Sequence, residues 1–232
     1  TALGVSSTVI IVFIIFGCFL LASGAGSFFI DTGLSLFGKY RGGPAKAAVL
    51  GSCCFGMISG IQVANVTAVG VLTIPLMKRV GYRPVVAASI EALASTGGMI
   101  MPPVMGAAAF IIPEMIGGSY WDVCKAAIMP ALLFYMTVYM IVELQAAKYG
   151  LVGLPREELP SVRRMLLDRG HMLIPVLVLI YCVAVLDLST SKAGFMSIVT
   201  CFAASLLRSG TRMHLGDVAM ALERGAKGAL IV

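Results

Sequence analysis

Between residues 44 and 103, two apolar segments are each interrupted near their middle by residues that a helix tolerates poorly. The first interruption is Ser59-Gly60-Ile61-Gln62-Val63-Ala64-Asn65, and the second is Ser95-Thr96-Gly97-Gly98-Met99-Ile100-Met101-Pro102-Pro103. The chain around them is 59% hydrophobic and only 12% charged, against about 25% charged in soluble domains. That composition predicts an all-α, polytopic membrane protein. Irregular backbone at membrane depth survives only where it is buried in protein or lines a wet cavity, because lipid offers nothing to an unpaired N–H or C=O. Two such breaks close together point to a binding site.

Basic residues flank the first broken segment on both sides, with Lys39, Arg41 and Lys46 before it and Lys78, Arg79 and Arg83 after it. Cytoplasmic flanks collect Lys and Arg, so both ends are expected on the cytoplasmic side. Residues 47–77 number 31, too few for two crossings at about 20 residues each. A re-entrant helical hairpin over residues 44–79 fits both facts; a single kinked transmembrane helix is the alternative. At its tip the first arm would present free carbonyls, which favour a cation, and the second arm free N–H groups, which favour a carboxylate. Ser59, Gln62, Asn65 and Thr67 would add neutral ligands there, or simply cap the two arms.

Residues 84–116 read as a discontinuous helix whose first arm ends at Ser95, Thr96, Gly97 and Gly98 with unpaired carbonyls. Pro102 and Pro103 carry no N–H, so this break offers acceptors more than donors and favours a cation. Glu91 lies about 10 Å of helical rise beyond Pro84. An ionisable group at that depth reads as a proton carrier or cation ligand, or else as a carboxylate that reaches the interface or pairs with Lys78, Arg79 or Arg83.

The rest of the chain supplies further spans. Residues 1–43 hold an apolar segment from 5 to about 30, followed by Asp31–Tyr40 as either a short interfacial helix or a polar connection. Transmembrane helices are expected at 120–147, 172–186 and 193–207. A basic cytoplasmic linker, Lys148–Arg169, and a short external turn, Asp187–Lys192, separate them, and Arg208 and Arg212 follow the last. Residues 214–232 form an amphipathic stretch ending in the apolar Ala229-Leu230-Ile231-Val232. With no signal-peptide n-region at Thr1 and this apolar end, the sequence is expected to be a piece of a longer chain.

Several function classes drop out. The net charge of +6 resides in clusters between apolar segments, which is topogenic charge and excludes a nucleic-acid interface. The six cysteines have no CxxC spacing, and His171 and His214 have no partner at metal-ligand spacing. No nucleophile is paired with a base, so an enzyme is disfavoured. A transporter and a passive channel both remain open.

Gly42-Gly43, Ser59-Gly60, Val63-Ala64-Asn65, Ile74-Pro75-Leu76-Met77-Lys78, Gly81-Tyr82, Ser95-Thr96-Gly97-Gly98 and Met101-Pro102-Pro103 together resemble the large membrane subunit of TRAP transporters. The run Met101 to Phe110 resembles the TAXI-associated, fused-permease branch. The resemblance implies the first half of an inverted-repeat, elevator-type transporter in a bacterial or archaeal cytoplasmic membrane. It also implies uptake of an organic acid delivered by an extracytoplasmic substrate-binding protein, with small-subunit helices separate or fused. A sodium or proton gradient would drive it, and residues 214–232 would open the second half. The implied ion and substrate site comprises Ser59, Gly60, Gln62, Asn65, Thr67, Ser95, Thr96, Gly97, Gly98 and Pro102. Many relatives carry Ser after the tip Ser-Gly where this chain has Ile61-Gln62, which weakens sodium coupling and leaves the proton open.

Overall fold

Pro44, Gly60 and Pro84 punctuate the centre of the molecule as helix start, stop and start. The structure is a computed structural model that describes residues 4, 6–186, 188–206 and 213–229. Asp187, Arg208, Arg212 and residues 230–232 lie outside the described residues. Eleven α-helices are present among those described: α1 (Ile11–Ala22), α2 (Ala25–Phe37), α3 (Gly43–Ser59), α4 (Gln62–Arg79), α5 (Pro84–Gly98), α6 (Ala108–Ile116), α7 (Tyr120–Lys148), α8 (Val162–Arg169), α9 (Ile174–Ala184), α10 (Thr190–Leu206) and α11 (Leu215–Ala229). The fold is all-α and multi-pass in character.

Helix α3 is the hub. Pro44 sits in its first turn, where a missing N–H costs nothing, and its small residues let neighbours approach closely. A methyl group on Gly33 of α2 would meet the Ala47 Cα at 2.9 Å. Nearly every side chain of α3 is buried, which is what an apolar-all-round helix requires. Helices α4 and α5 pack on α3 and on each other, and Tyr135, Val138 and Val142 of α7 close a core with Ala45, Ala48 and Ile90. A second core joins α1, α2, α6, α9 and α10 through Phe13, Phe28, Phe110, Val176 and Cys201.

The helices depart from or add to the sequence expectations in four places. The first apolar segment does not run straight to residue 30: it bends by 66° between Ala22 and Ala25, where Gly24 takes the left-handed conformation at φ +86°. Residues 31–37 then continue α2 instead of starting a separate helix. Ahead of the span expected at 172–186, helical backbone extends back to Met165 through the 3-10 turn Gly170–Leu173, and Met165–Ala184 together has the length and apolarity of a span. Lys46, one of the basic residues flanking the first broken segment, is 4% exposed and paired with Glu143 of α7. Among the described residues, Tyr120–Lys148 and Met165–Ala184 are long and apolar enough to cross a bilayer, and the bent α1–α2 pair is a third span if counted as one. Helix α10 has 17 residues, the short end of the crossing range of about 17–25.

Candidate functional site

Helix α3 stops because Gly60 takes φ +62° and sends its N–H back to the Gly56 carbonyl, a left-handed cap that residues with a Cβ resist. A Cβ at Gly60 would also collide with the Met105 carbonyl oxygen. Ile61 is extended and gives α4 no side-chain cap. The first N–H of α4 to find a backbone acceptor is that of Asn65, which donates to Ile61 at 3.0 Å. The N–H groups of Gln62, Val63 and Ala64 therefore face outward at the positive end of the helix dipole. Of the last carbonyls of α3, Met57 accepts from Val104 at 3.0 Å, while those of Ile58 and Ser59 receive no backbone donor among the described residues. One two-residue turn thus offers acceptors and donors together.

The second break comes to the first. Besides the Val104 to Met57 bond, Gln62 Nε2 donates to Thr96 Oγ1 at 2.6 Å, joining the start of α4 to the end of α5. Gly98 lies against Gly56: a Cβ on Gly56 would meet the Gly98 Cα at 2.7 Å and Asn65 Nδ2 at 2.7 Å. Residues 99–107 then turn back, with Gly106 N–H donating to the Met99 carbonyl at 2.7 Å and the Tyr120 hydroxyl reaching the Val104 carbonyl at 2.6 Å.

The expected free carbonyls of this break are mostly engaged. Thr96, Gly97 and Gly98 accept from Met99, Ile100 and Met101 at 3.1, 3.2 and 3.3 Å, because the chain continues as a tight turn instead of running away from the helix end. Pro102 lies beyond that turn, next to Pro103. Gly97 faces away from the tip, against the Phe134 and Tyr135 rings of α7. The hydroxyl of Thr67 is turned back to its own helix, onto the Val63 carbonyl at 2.9 Å.

Two polar atoms at the tip are buried without a partner, Ser59 Oγ and Asn65 Oδ1. Asn65 is fully buried, and its Nδ2 donates to the Ser52 carbonyl at 2.8 Å. An unpaired oxygen of this kind costs about 1–3 kcal/mol, and a ligand would relieve it.

One turn deeper lies Glu91, also fully buried. Ser52 of α3 donates to its Oε1 at 2.5 Å, Thr73 of α4 to its Oε2 at 2.5 Å, and Ser95 of α5 to Oε1 at 3.3 Å. The sequence alternatives of an interfacial carboxylate or a Lys78, Arg79 or Arg83 partner do not hold. Arg79 is instead paired with Glu158 at 2.8 Å. A polar chain therefore runs from Glu91 through Ser52 to Asn65 at the tip. Sequence reasoning missed Ser52 and Thr73, since neither lies at a helical spacing from Glu91; only Ser95, at i+4, could have been read directly.

Among the described residues, no group of His, Cys, Asp or Glu could hold a metal ion.

Residues 2–232 match the family model described as tripartite ATP-independent periplasmic transporter, DctM component. The chain is 32% identical over 160 residues to the C4-dicarboxylate TRAP transporter large permease protein DctM of Pseudomonas aeruginosa, covering 66% of this chain and 36% of that protein. It is 28% identical over 154 residues to the 2,3-diketo-L-gulonate TRAP transporter large permease protein YiaN of Escherichia coli, covering 66% and 35%. A third similarity, 38% over 92 residues, is to the isethionate TRAP transporter permease protein DctMQ of Oleidesulfovibrio alaskensis, covering 39% and 14%. The chain spans less than half the length of these relatives.

Proposed function

The chain belongs to the DctM component family of tripartite ATP-independent periplasmic transporters, and from that premise we propose that it forms the first half of a secondary active permease. The permease takes up an organic acid delivered by an extracytoplasmic substrate-binding protein, driven by a sodium or proton gradient across a bacterial or archaeal inner membrane. Small-subunit helices complete the complex, either as a separate chain or fused as in the TAXI-associated branch that Met101 to Phe110 resembles. The observation that carries this reading is the contact of the two helix breaks, with unpaired N–H groups at Gln62, Val63 and Ala64 beside the unpartnered Ser59 and Asn65 oxygens. Donors suit a carboxylate and acceptors a cation, so both solutes of a symporter find chemistry within one turn. The hairpin and the broken helix would move together as an elevator, since Gln62–Thr96, Val104–Met57 and the Glu91 hydroxyl cluster fasten them.

Uptake by the full-length permease in proteoliposomes tests the reading directly. Accumulation of an organic acid above its outside concentration is expected only with the binding protein present and with a sodium or proton gradient imposed. Equilibration without accumulation, indifferent to both, would turn the reading into a passive channel.

The re-entrant topology has its own test. Lys46 is too buried to label, but Arg41 and Lys78 are exposed. Cysteines at these two positions, in a background lacking the six native ones, should both react with a membrane-impermeant thiol reagent from the cytoplasmic side. Labelling from opposite sides would establish a single spanning helix instead.

A further inference from the structure

Met105 lies in the second break at φ +62°, the one residue other than glycine in the left-handed region among those described. There a Cβ crowds the following carbonyl, and such a conformation persists only where the surroundings impose it. The residues that impose it can be named. Val104, directly before, is held twice: its N–H donates to the Met57 carbonyl at 3.0 Å, and its carbonyl accepts from the Tyr120 hydroxyl at 2.6 Å. The same hydroxyl lies 2.8 Å from the Pro103 carbonyl. Gly106, directly after, donates to the Met99 carbonyl at 2.7 Å. Tyr120 opens α7, and stacking fixes its ring, which lies parallel to Phe110 of α6 at 4.8 Å while Phe110 stacks on Phe13 of α1 at 4.7 Å.

The strained turn presses on the hairpin tip. The Met105 carbonyl oxygen occupies the space that a Cβ on Gly60 would need, so this turn sets how closely the two breaks approach. Ser59, Gly60, Gln62, Met99, Val104 and Met105 line one cavity of about 310 Å³, and Ser59 is the residue whose buried hydroxyl has no partner. We propose that Tyr120 is a positioning residue for the ion and substrate site: through Val104, its hydroxyl holds the Met105 turn against Gly60 and so fixes the Ser59 to Gln62 tip in its binding geometry. The proposal rests on the permease reading and adds to it a residue outside both breaks, on the helix that follows them. Ring and hydroxyl have separate roles. The stack with Phe110 and Phe13 anchors the ring, and only the hydroxyl reaches the Val104 carbonyl.

The test compares the unaltered full-length permease with Tyr120→Phe, which keeps the stack and removes only the hydroxyl, and with Cys124→Ala as a control. Cys124 offers its thiol to the Pro103 carbonyl at 3.7 Å, not to that of Val104. In nanodiscs, amide hydrogen exchange over residues 58–64 and 99–107 is expected to be about fivefold or more faster in Tyr120→Phe and unchanged in Cys124→Ala. Uptake is then measured in proteoliposomes with the binding protein, using radiolabelled succinate as the probe under imposed sodium and proton gradients. Tyr120→Phe should raise the concentration of cation or succinate needed for half-maximal rate about fivefold or more, with the maximal rate per folded transporter kept. Thermal unfolding of each variant gives the folded fraction. A purely structural clamp would lower the folded fraction or the maximal rate and leave half-saturation where it was. That result, unaltered exchange over residues 58–64, or an equal effect in Cys124→Ala overturns the positioning role alone. Absence of concentrative uptake in the unaltered protein overturns the permease reading itself, and with it the site that Tyr120 would position.

Discussion

Asn65→Ala is expected to reduce uptake by the full-length permease to near background at sub-saturating substrate, with expression and membrane insertion unchanged. Two losses combine in that one substitution. The unpartnered Oδ1 goes, and with it an acceptor the tip can offer a cation; the Nδ2 bond that fixes the Ser52 carbonyl goes as well. A buried polar contact of this kind is worth about 1–3 kcal/mol, or roughly 5- to 150-fold in affinity. Because Ser52 also donates to Glu91, the change propagates to the buried acid whichever ion drives the cycle. Measured as initial uptake rate against cation and substrate concentration, the variant should show a rise of about tenfold or more in the concentration needed for half-maximal rate. Near-normal uptake would remove Asn65 and the tip from the site.

How much of this was legible without coordinates divides along a physical line. Breaks written in Gly and Pro are local, so Ser59-Gly60 and Gly97-Gly98 mark helix ends in the sequence as they do in the structure. The same local chemistry at Ser23-Gly24-Ala25-Gly26-Ser27 went unread, because the high apolarity around it suggested a continuous span; the 66° bend lies there. Direction is harder to read than position. Gly97 and Thr67 are near the breaks in sequence, yet Gly97 faces α7 and the Thr67 hydroxyl turns back on its own helix. Gly97→Leu would therefore injure helix packing and say little about ligand binding. Contacts between distant residues were illegible: Ser52 and Thr73 around Glu91, and Glu143 beside Lys46, each depend on how separate helices pack.

Glu91→Gln is expected to abolish accumulation driven by a proton gradient while leaving substrate exchange intact. Three hydroxyls surround the carboxyl group and no basic side chain pairs with it among the described residues. As donors, Ser52, Thr73 and Ser95 satisfy an ionised carboxylate. A protonated carboxyl needs one of them to accept, and that hydroxyl must then place its own proton elsewhere. Each can do so: the Thr73 hydroxyl already lies 3.1 Å from the Val69 carbonyl, and Ser52 and Ser95, as helical serines, have the same recourse to the carbonyl four residues back. Both protonation states are thus accommodated by rotating hydroxyls, without backbone movement, which is what a proton carrier requires and a purely structural acid does not. Glutamine keeps the shape and still accepts and donates, so α3, α4 and α5 stay fastened, but it cannot release a proton. The measurement is uptake and counterflow in proteoliposomes under separately imposed proton and sodium gradients. Uptake that survives the substitution and depends steeply on sodium would move the coupling ion to the Ile58 and Ser59 carbonyls and Asn65 Oδ1. Uptake that survives it and ignores sodium would contradict both schemes and favour the passive channel.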